Sequence, residues 1–98
     1  MSRIIWSPRS GLDLAKIDAF LSEFDPAAGA KILQAIQSAA GRLADYPRLG
    51  PALNSMLRVI RVRGTAYLIL YRMRDDVVEI VRVRHGREDW LGEIEAEV

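Results

Sequence analysis

The sequence predicts an α+β fold, with a two-helix hairpin covering one face of a mainly antiparallel sheet. Three observations predict it. Two apolar stripes of helical period follow one another between Leu14 and Leu43. Three β-rich runs separated by short polar turns then fill Leu57–His85. A short apolar run, Arg3–Trp6, precedes both helices and supplies one further strand.

Taken in order, Arg3–Trp6 is a strand ended by Ser7-Pro8. The first helix starts either at Ser7, with Pro8 in the first turn, or at Ser10, with Asp13 three residues on. Leu14, Ile17, Phe20, Leu21 and Phe24 form its stripe, with Lys16, Asp18 and Glu23 between them. Asp25-Pro26 stops this helix and starts the next, because Asp caps a helix and Pro suits its first position. Ile32, Leu33, Ile36, Ala39, Ala40 and Leu43 stripe the second helix, and its many alanines allow close approach to a neighbour. So short a link makes the two helices an antiparallel hairpin. Tyr46-Pro47 ends the second helix, and Arg48–Pro51 is loop. The meander reads as Leu57–Arg63, a turn at Arg63-Gly64-Thr65, Tyr67–Arg72, a turn at Met73–Asp76, and Val77–His85. After His85-Gly86 the tail turns acidic, and Trp90, Leu91 and Ile94 recur at the spacing of a short C-terminal helix.

Ninety-eight residues make one domain, spanning 1–98, with a modest core. There are no cysteines, which removes disulfides, thiolate metal sites and a thiol nucleophile. No apolar run is long enough for a signal-peptide core or a membrane span, so a cytoplasmic protein is expected. Net charge is only +1, yet eight arginines between Leu57 and Arg87 face just Asp75, Asp76 and Glu79. Positive charge is thus concentrated on the sheet. In the middle strand both alternating sets are apolar: Ala66, Leu68 and Leu70 on one side, Tyr67, Ile69 and Tyr71 on the other. A strand apolar on both sides is buried on both sides. The helices can cover one face, so the tail or a partner must cover the other. Strict alternation in the last strand sets Val81, Val83 and His85 against Val78, Ile80, Arg82 and Arg84.

The chemistry on offer is sparse. His85 is the sole histidine: it could act as a general base, or simply hydrogen-bond at a strand end, but it cannot build a histidine metal cluster. The arginines could hold phosphate or an acidic protein. Arg72 and Arg74, beside a turn, read instead as solvated strand positions. Asp75-Asp76 reads as turn chemistry. There is no glycine-flanked serine elbow and no glycine-rich phosphate loop. No cofactor and no metal are expected. Trp90 either folds onto the sheet or anchors an interface.

The runs LRVIRV, AYLILYR and DDVVEIVRVRHGRED, with IIWSPRSGLDLAKI before them and the helix end LADYPRLG, resemble the ParE branch of the RelE/ParE toxin superfamily. The resemblance extends from about Arg3 to Trp90. It implies a RelE/ParE-like fold and a bacterial type II toxin neutralised by a small antitoxin. The ParE branch is similar to inhibitors of DNA gyrase, whereas the RelE branch cuts messenger RNA on the ribosome. The ribonuclease branch carries an arginine after the tyrosine of the middle strand, where this chain has Leu68 after Tyr67. It carries a further basic residue where Val59 stands, and a late tyrosine that this chain lacks. These departures favour the ParE branch.

The resemblance therefore implies growth arrest, plasmid stabilisation and a hetero-oligomer with a ParD-like antitoxin, whose acidic segment folds on binding. Arg61, Arg82, Arg84, Tyr67 and Tyr71 are expected to contact that antitoxin, and Arg87 and Trp90 the target, gyrase. No catalytic residue is expected, no membrane association, and no sequence-specific DNA binding by the toxin alone. The alternatives are a ribosome-dependent endoribonuclease with a reduced site of Arg61, His85 and Arg87, and a non-toxic binding module.

Overall fold

A computed structural model describes residues 2–87. The elements run β1 (Arg3–Trp6), α1 (Pro8–Phe24), α2 (Pro26–Arg42), β2 (Arg58–Arg61), β3 (Tyr67–Arg74) and β4 (Val77–His85). The expected C-terminal helix, and Trp90 with it, lies outside the described residues.

Both helix starts follow from their caps. The Ser7 hydroxyl accepts from the Ser10 N–H, with Pro8 at the first helical position. That decides between the two possible starts of α1. The Asp25 carboxylate accepts from the Ala28 N–H and opens α2 in the same way.

The four strands lie in the order β1-β4-β3-β2. β2 and β4 each run antiparallel to β3, and β1 joins parallel to β4, Arg3 opposite Val77 and Trp6 opposite Ile80. β2 is shorter than its apolar run: its regular pairing with β3 spans Arg58–Arg61, although the Val62 N–H still donates to the Tyr67 carbonyl. β3 is longer, because Asp75 takes φ 58 and lets a tight Asp75-Asp76 turn carry the pairing through Arg74 opposite Val77.

The principal core lies between the helices and one sheet face. It joins Ile36, Ala39, Ala40 and Leu43 of α2 and its end to Ile60, Val62, Tyr67, Ile69, Tyr71, Val78, Ile80 and Val83. Of the α1 stripe, Leu14 and Ile17 pack against this core, whereas Phe20 and Phe24 are 58% and 72% exposed. The sequence period assigned those two phenylalanines to the core. Phe20 borders Tyr67 and His85 at the end of the sheet without being covered by them.

Strict alternation also fails in β4. The register slips at Leu70/Tyr71, so that Leu70 opposes Arg82 while Tyr71 opposes Ile80. The extra residue is a β-bulge, which re-aims side chains. Val78 and Ile80 therefore share the helix side with Val83, while Val81 packs with Leu57, Leu70, Leu53 and Val59 on the other face. The bulge delivers Arg82 to α1, where its Nε and Nη2 donate to the Asp13 carboxylate at 2.8 and 3.0 Å. The Val83 N–H donates to the same carboxylate at 3.0 Å.

The loop between α2 and β2 crosses the sheet edge and is held by two side chains. The Tyr71 hydroxyl accepts from the Gly50 N–H and donates to the Pro47 carbonyl, both at 2.9 Å. Arg58 Nη1 donates to the Gly50 carbonyl at 2.7 Å. Burial raises the Tyr71 hydroxyl above the ordinary tyrosine value of 10.0, partly offset by the Gly50 hydrogen bond and the Arg58 charge. Below that value the hydroxyl is protonated in both folded and unfolded chains. Above it the unfolded chain releases the proton first, so stability falls with rising pH until the folded value is passed. Thermal unfolding at pH about 9 and about 11 should show a drop in Tm that is smaller in Tyr71→Phe, which has no proton to lose.

Candidate functional site

The register decides what the face away from the helices displays. Arg61 of β2 lies opposite Leu68 of β3, and Leu68 opposite Arg84 of β4. The neighbours Ile60, Val62, Tyr67, Ile69 and Val83 all point into the helix-side core, so this row points the other way. An arginine thus stands on each side of Leu68. Behind this row lies the apolar patch of Val59, Leu70 and Val81, roofed by Leu53 and Leu57 of the crossing loop. Part of the second face is therefore covered by the chain's own loop, a cover that neither the tail nor a partner had to supply. Beyond that row Arg72 is ion-paired to Glu79, so its charge is satisfied within the sheet.

A groove of about 490 Å³ opens at this end, lined by Leu49, Gly50, Pro51, Val59, Arg61 and Leu68, with Gly86 at its lip. Gly50 makes the groove's wall possible. A Cβ there would stand 2.4 Å from the Val59 carbonyl oxygen, so only glycine lets the loop lie this close to β2. The Val59 N–H in turn donates to the Pro51 carbonyl, which closes the outer edge of β2. The groove is apolar in its floor, where Leu68 is 8% exposed, and Arg61 is the one cation among its lining residues.

Arg61 and Arg84 thus come together on the open face. Arg82 does not join them: it is 7% exposed and held by Asp13 on the helix side. Tyr71 has no exposed surface, and both of its hydroxyl bonds go to the loop. Tyr67 is 8% exposed and meets His85 edge-on, with ring centroids 5.3 Å apart, on the helix side. As direct contacts for a partner, Arg82 and Tyr71 are corrected by their burial: they shape the sheet from behind. The bulge that moves Arg82 has no signature in the sequence alternation. The loop's Gly50-Pro51 was legible only as a turn signal, so the wall it forms was missed.

The set Arg61, His85 and Arg87 is likewise not assembled in one place. His85 sits on the helix side near Lys16, Ile17 and Phe20, and Arg61 on the opposite face. The Arg87 N–H donates to His85 Nδ1 at 3.1 Å, which requires Nδ1 to carry no proton. Among the described residues no group of three or more histidine, cysteine or carboxylate side chains is placed to hold a metal ion. Among them, too, no helix is long and apolar enough to cross a membrane.

Comparison with known proteins agrees with this architecture. A Caulobacter vibrioides protein named "Toxin RelE2" is 34% identical over 86 residues, covering 88% of this chain and 97% of that protein. The solved structure described as "Chromosomal ParDE TA system from P. aeruginosa" superposes with a TM-score of 0.76 at 18% identity, covering 87% of this chain and 96% of that one. The isolated E. coli RelE toxin superposes with a TM-score of 0.68 at 14% identity, covering 99% and 98%. At such identities these two likenesses speak for the fold, which is RelE/ParE-like. The model of the family described as "ParE toxin of type II toxin-antitoxin system, parDE" matches residues 4–90. With nearly the whole chain matched, this protein belongs to the ParE toxin family of type II toxin–antitoxin systems, and membership implies a cognate antitoxin.

Proposed function

We propose that this toxin inhibits DNA gyrase and is neutralised by an acidic, ParD-like antitoxin segment that folds into the groove over Leu68. The observation that carries the reading is the row Arg61, Leu68, Arg84 on the open face. Cleaving RNA requires a group that activates the 2′-hydroxyl and cations around the phosphorane. Here the middle of the row is a leucine, and the imidazole lies across the sheet. An apolar middle between two guanidinium groups suits a peptide with a buried apolar anchor and carboxylates to either side. Apolar contact supplies most of the affinity in such a pairing, and the arginines supply orientation and association rate. Arg87 and Trp90 are assigned to the target side, where an arginine–tryptophan pair makes a strong interface anchor.

The test is direct. The purified toxin should block supercoiling by gyrase while ribosome-bound messenger stays uncut at saturating amounts. The RelE name of the Caulobacter relative motivates the competing outcome: site-specific messenger cleavage with gyrase unaffected would replace the gyrase reading by the ribonuclease one. For the antitoxin, Arg61→Glu and Arg84→Glu should each slow association about tenfold at low salt and flatten its salt dependence. Stopped-flow traces unchanged in both variants would remove the two arginines from the interface.

A further inference from the structure

The loop between α2 and β2 borders a second cavity, of about 210 Å³, which shares no lining residue with the groove over Leu68. Arg48, Asn54, Ser55 and Arg58 supply its polar lining, and no aspartate or glutamate is among the residues around it. Arg58 stands on the side of β2 from which Ile60 enters the core, opposite to the side that carries Arg61. Met73, which packs against that same core, also lines the cavity.

Two of these polar groups are held by bonds that leave donors unspent. Asn54 Oδ1 accepts from the Met56 and Leu57 N–H groups, both at 2.8 Å. The amide oxygen is thereby committed to the backbone, and the Asn54 NH2, which can only donate, is left for a ligand. Arg58 Nη1 donates to the Gly50 carbonyl at 2.7 Å, which anchors one arm of the guanidinium and leaves its other N–H groups. Among the described residues Arg48 has no hydrogen-bond or ion-pair partner, and neither has the Ser55 hydroxyl. Every polar side chain around the cavity therefore has a hydrogen to donate, and two of them are cations.

We propose that this cavity binds a phosphate group, with Arg48 and Arg58 as its counter-charges and Asn54 and Ser55 as further donors. Guanidinium groups pair bidentately with phosphate oxygens, and no carboxylate on the lining competes for them. A carboxylate presents its oxygens along one edge. A tetrahedral phosphate presents them in several directions, which suits donors arriving from both the loop and the start of β2. The cavity shares no residue with the row of Arg61, Leu68 and Arg84, so phosphate binding here is separable from any contact made in the groove.

Titration calorimetry at fixed ionic strength, with inorganic phosphate, adenosine 5′-monophosphate and acetate as probes, tests the site. Phosphate should bind with a Kd on the order of 1 mM, and acetate at least about tenfold more weakly. Equal Kd values for phosphate and the nucleotide assign the free anion as the ligand, whereas a nucleotide Kd about tenfold lower assigns a phosphate ester. Arg48 is exposed, so Arg48→Glu leaves the core untouched and should raise the phosphate Kd at least about tenfold. Asn54→Asp keeps the oxygen that holds Met56 and Leu57 but replaces the donor by a like charge. It should weaken phosphate to a similar degree with Tm unchanged. Arg63→Glu, at an exposed turn outside the cavity, changes net charge equally and should shift the Kd by less than about twofold. No phosphate binding at about 20 mM overturns the proposal. So does acetate bound as tightly as phosphate, or a loss in Arg63→Glu as large as that in Arg48→Glu.

Discussion

Asp13→Ala is expected to cost about 3–5 kcal/mol of stability, because it breaks a buried ion pair by removing its carboxylate. The Asp13 carboxylate is the acceptor for Arg82 Nε, Arg82 Nη2 and the Val83 N–H at once, and the pair's side chains are only 8% and 10% exposed. Alanine removes both acceptor oxygens, and with them three hydrogen bonds, and supplies no volume, so α1 loses its polar tether to β4. Replacing both partners, as in Asp13→Leu with Arg82→Met, removes both charges and should recover much of the loss. It should not recover all of it. The Val83 N–H still has no acceptor, and an unsatisfied buried donor costs about 1–3 kcal/mol. Urea unfolding of the unmodified chain and the single and double variants measures these differences. A single variant within about 1 kcal/mol of the unmodified chain would mean that Arg82 finds another acceptor when Asp13 is gone.

Gly50→Ala should destabilise by about 3 kcal/mol, at the upper end for overpacking. The new methyl would meet the Val59 carbonyl oxygen at 2.4 Å and Ile60 Cγ2 at 2.6 Å. The carbonyl is backbone within a hydrogen-bonded strand and cannot swing aside. The loop must lift, taking with it the Gly50 N–H and carbonyl that Tyr71 and Arg58 hold. The same substitution at Gly11 provides the contrast. A Cβ there meets nothing within 4 Å in the exposed first turn of α1, so Gly11→Ala should stabilise by about 0.4–1 kcal/mol. Opposite signs in thermal melts of the two variants would separate the packing role of Gly50 from the general cost of glycine. The Gly50 variant should also bind its antitoxin less tightly, since the lifted loop is the groove's wall.

Local chemistry made most of the fold legible. Serine, aspartate and proline mark both helix starts, and apolar runs mark the strands, because caps and periodicity act over a few residues. What escaped depends on pairing between distant segments. The bulge at Leu70/Tyr71 depends on β3 and β4 docking together, and it moves Arg82 from an expected surface position to an internal one. Helical period places Phe20 and Phe24 in the apolar stripe of α1 but cannot report how far the sheet covers that stripe. For the candidate site, charge alone makes Arg61 and Arg84 candidates. Their placement on either side of Leu68, and the separation of His85 from Arg61 by the thickness of the sheet, needed the register.

The parallel pairing of β1 with β4 sets a condition on how the molecule is made. The Ser7 hydroxyl reaches the Val81 carbonyl across 74 positions, and the Asp13–Arg82 pair spans 69. The helical hairpin needs only neighbours in the chain and can form early, whereas the sheet closes last, with a loop-closure cost set by almost the full length. On a translating ribosome the first strand therefore waits until the fourth has emerged, and the row of Arg61, Leu68 and Arg84 does not exist before then. Any contact made through that row therefore requires the assembled sheet and not the helical hairpin alone.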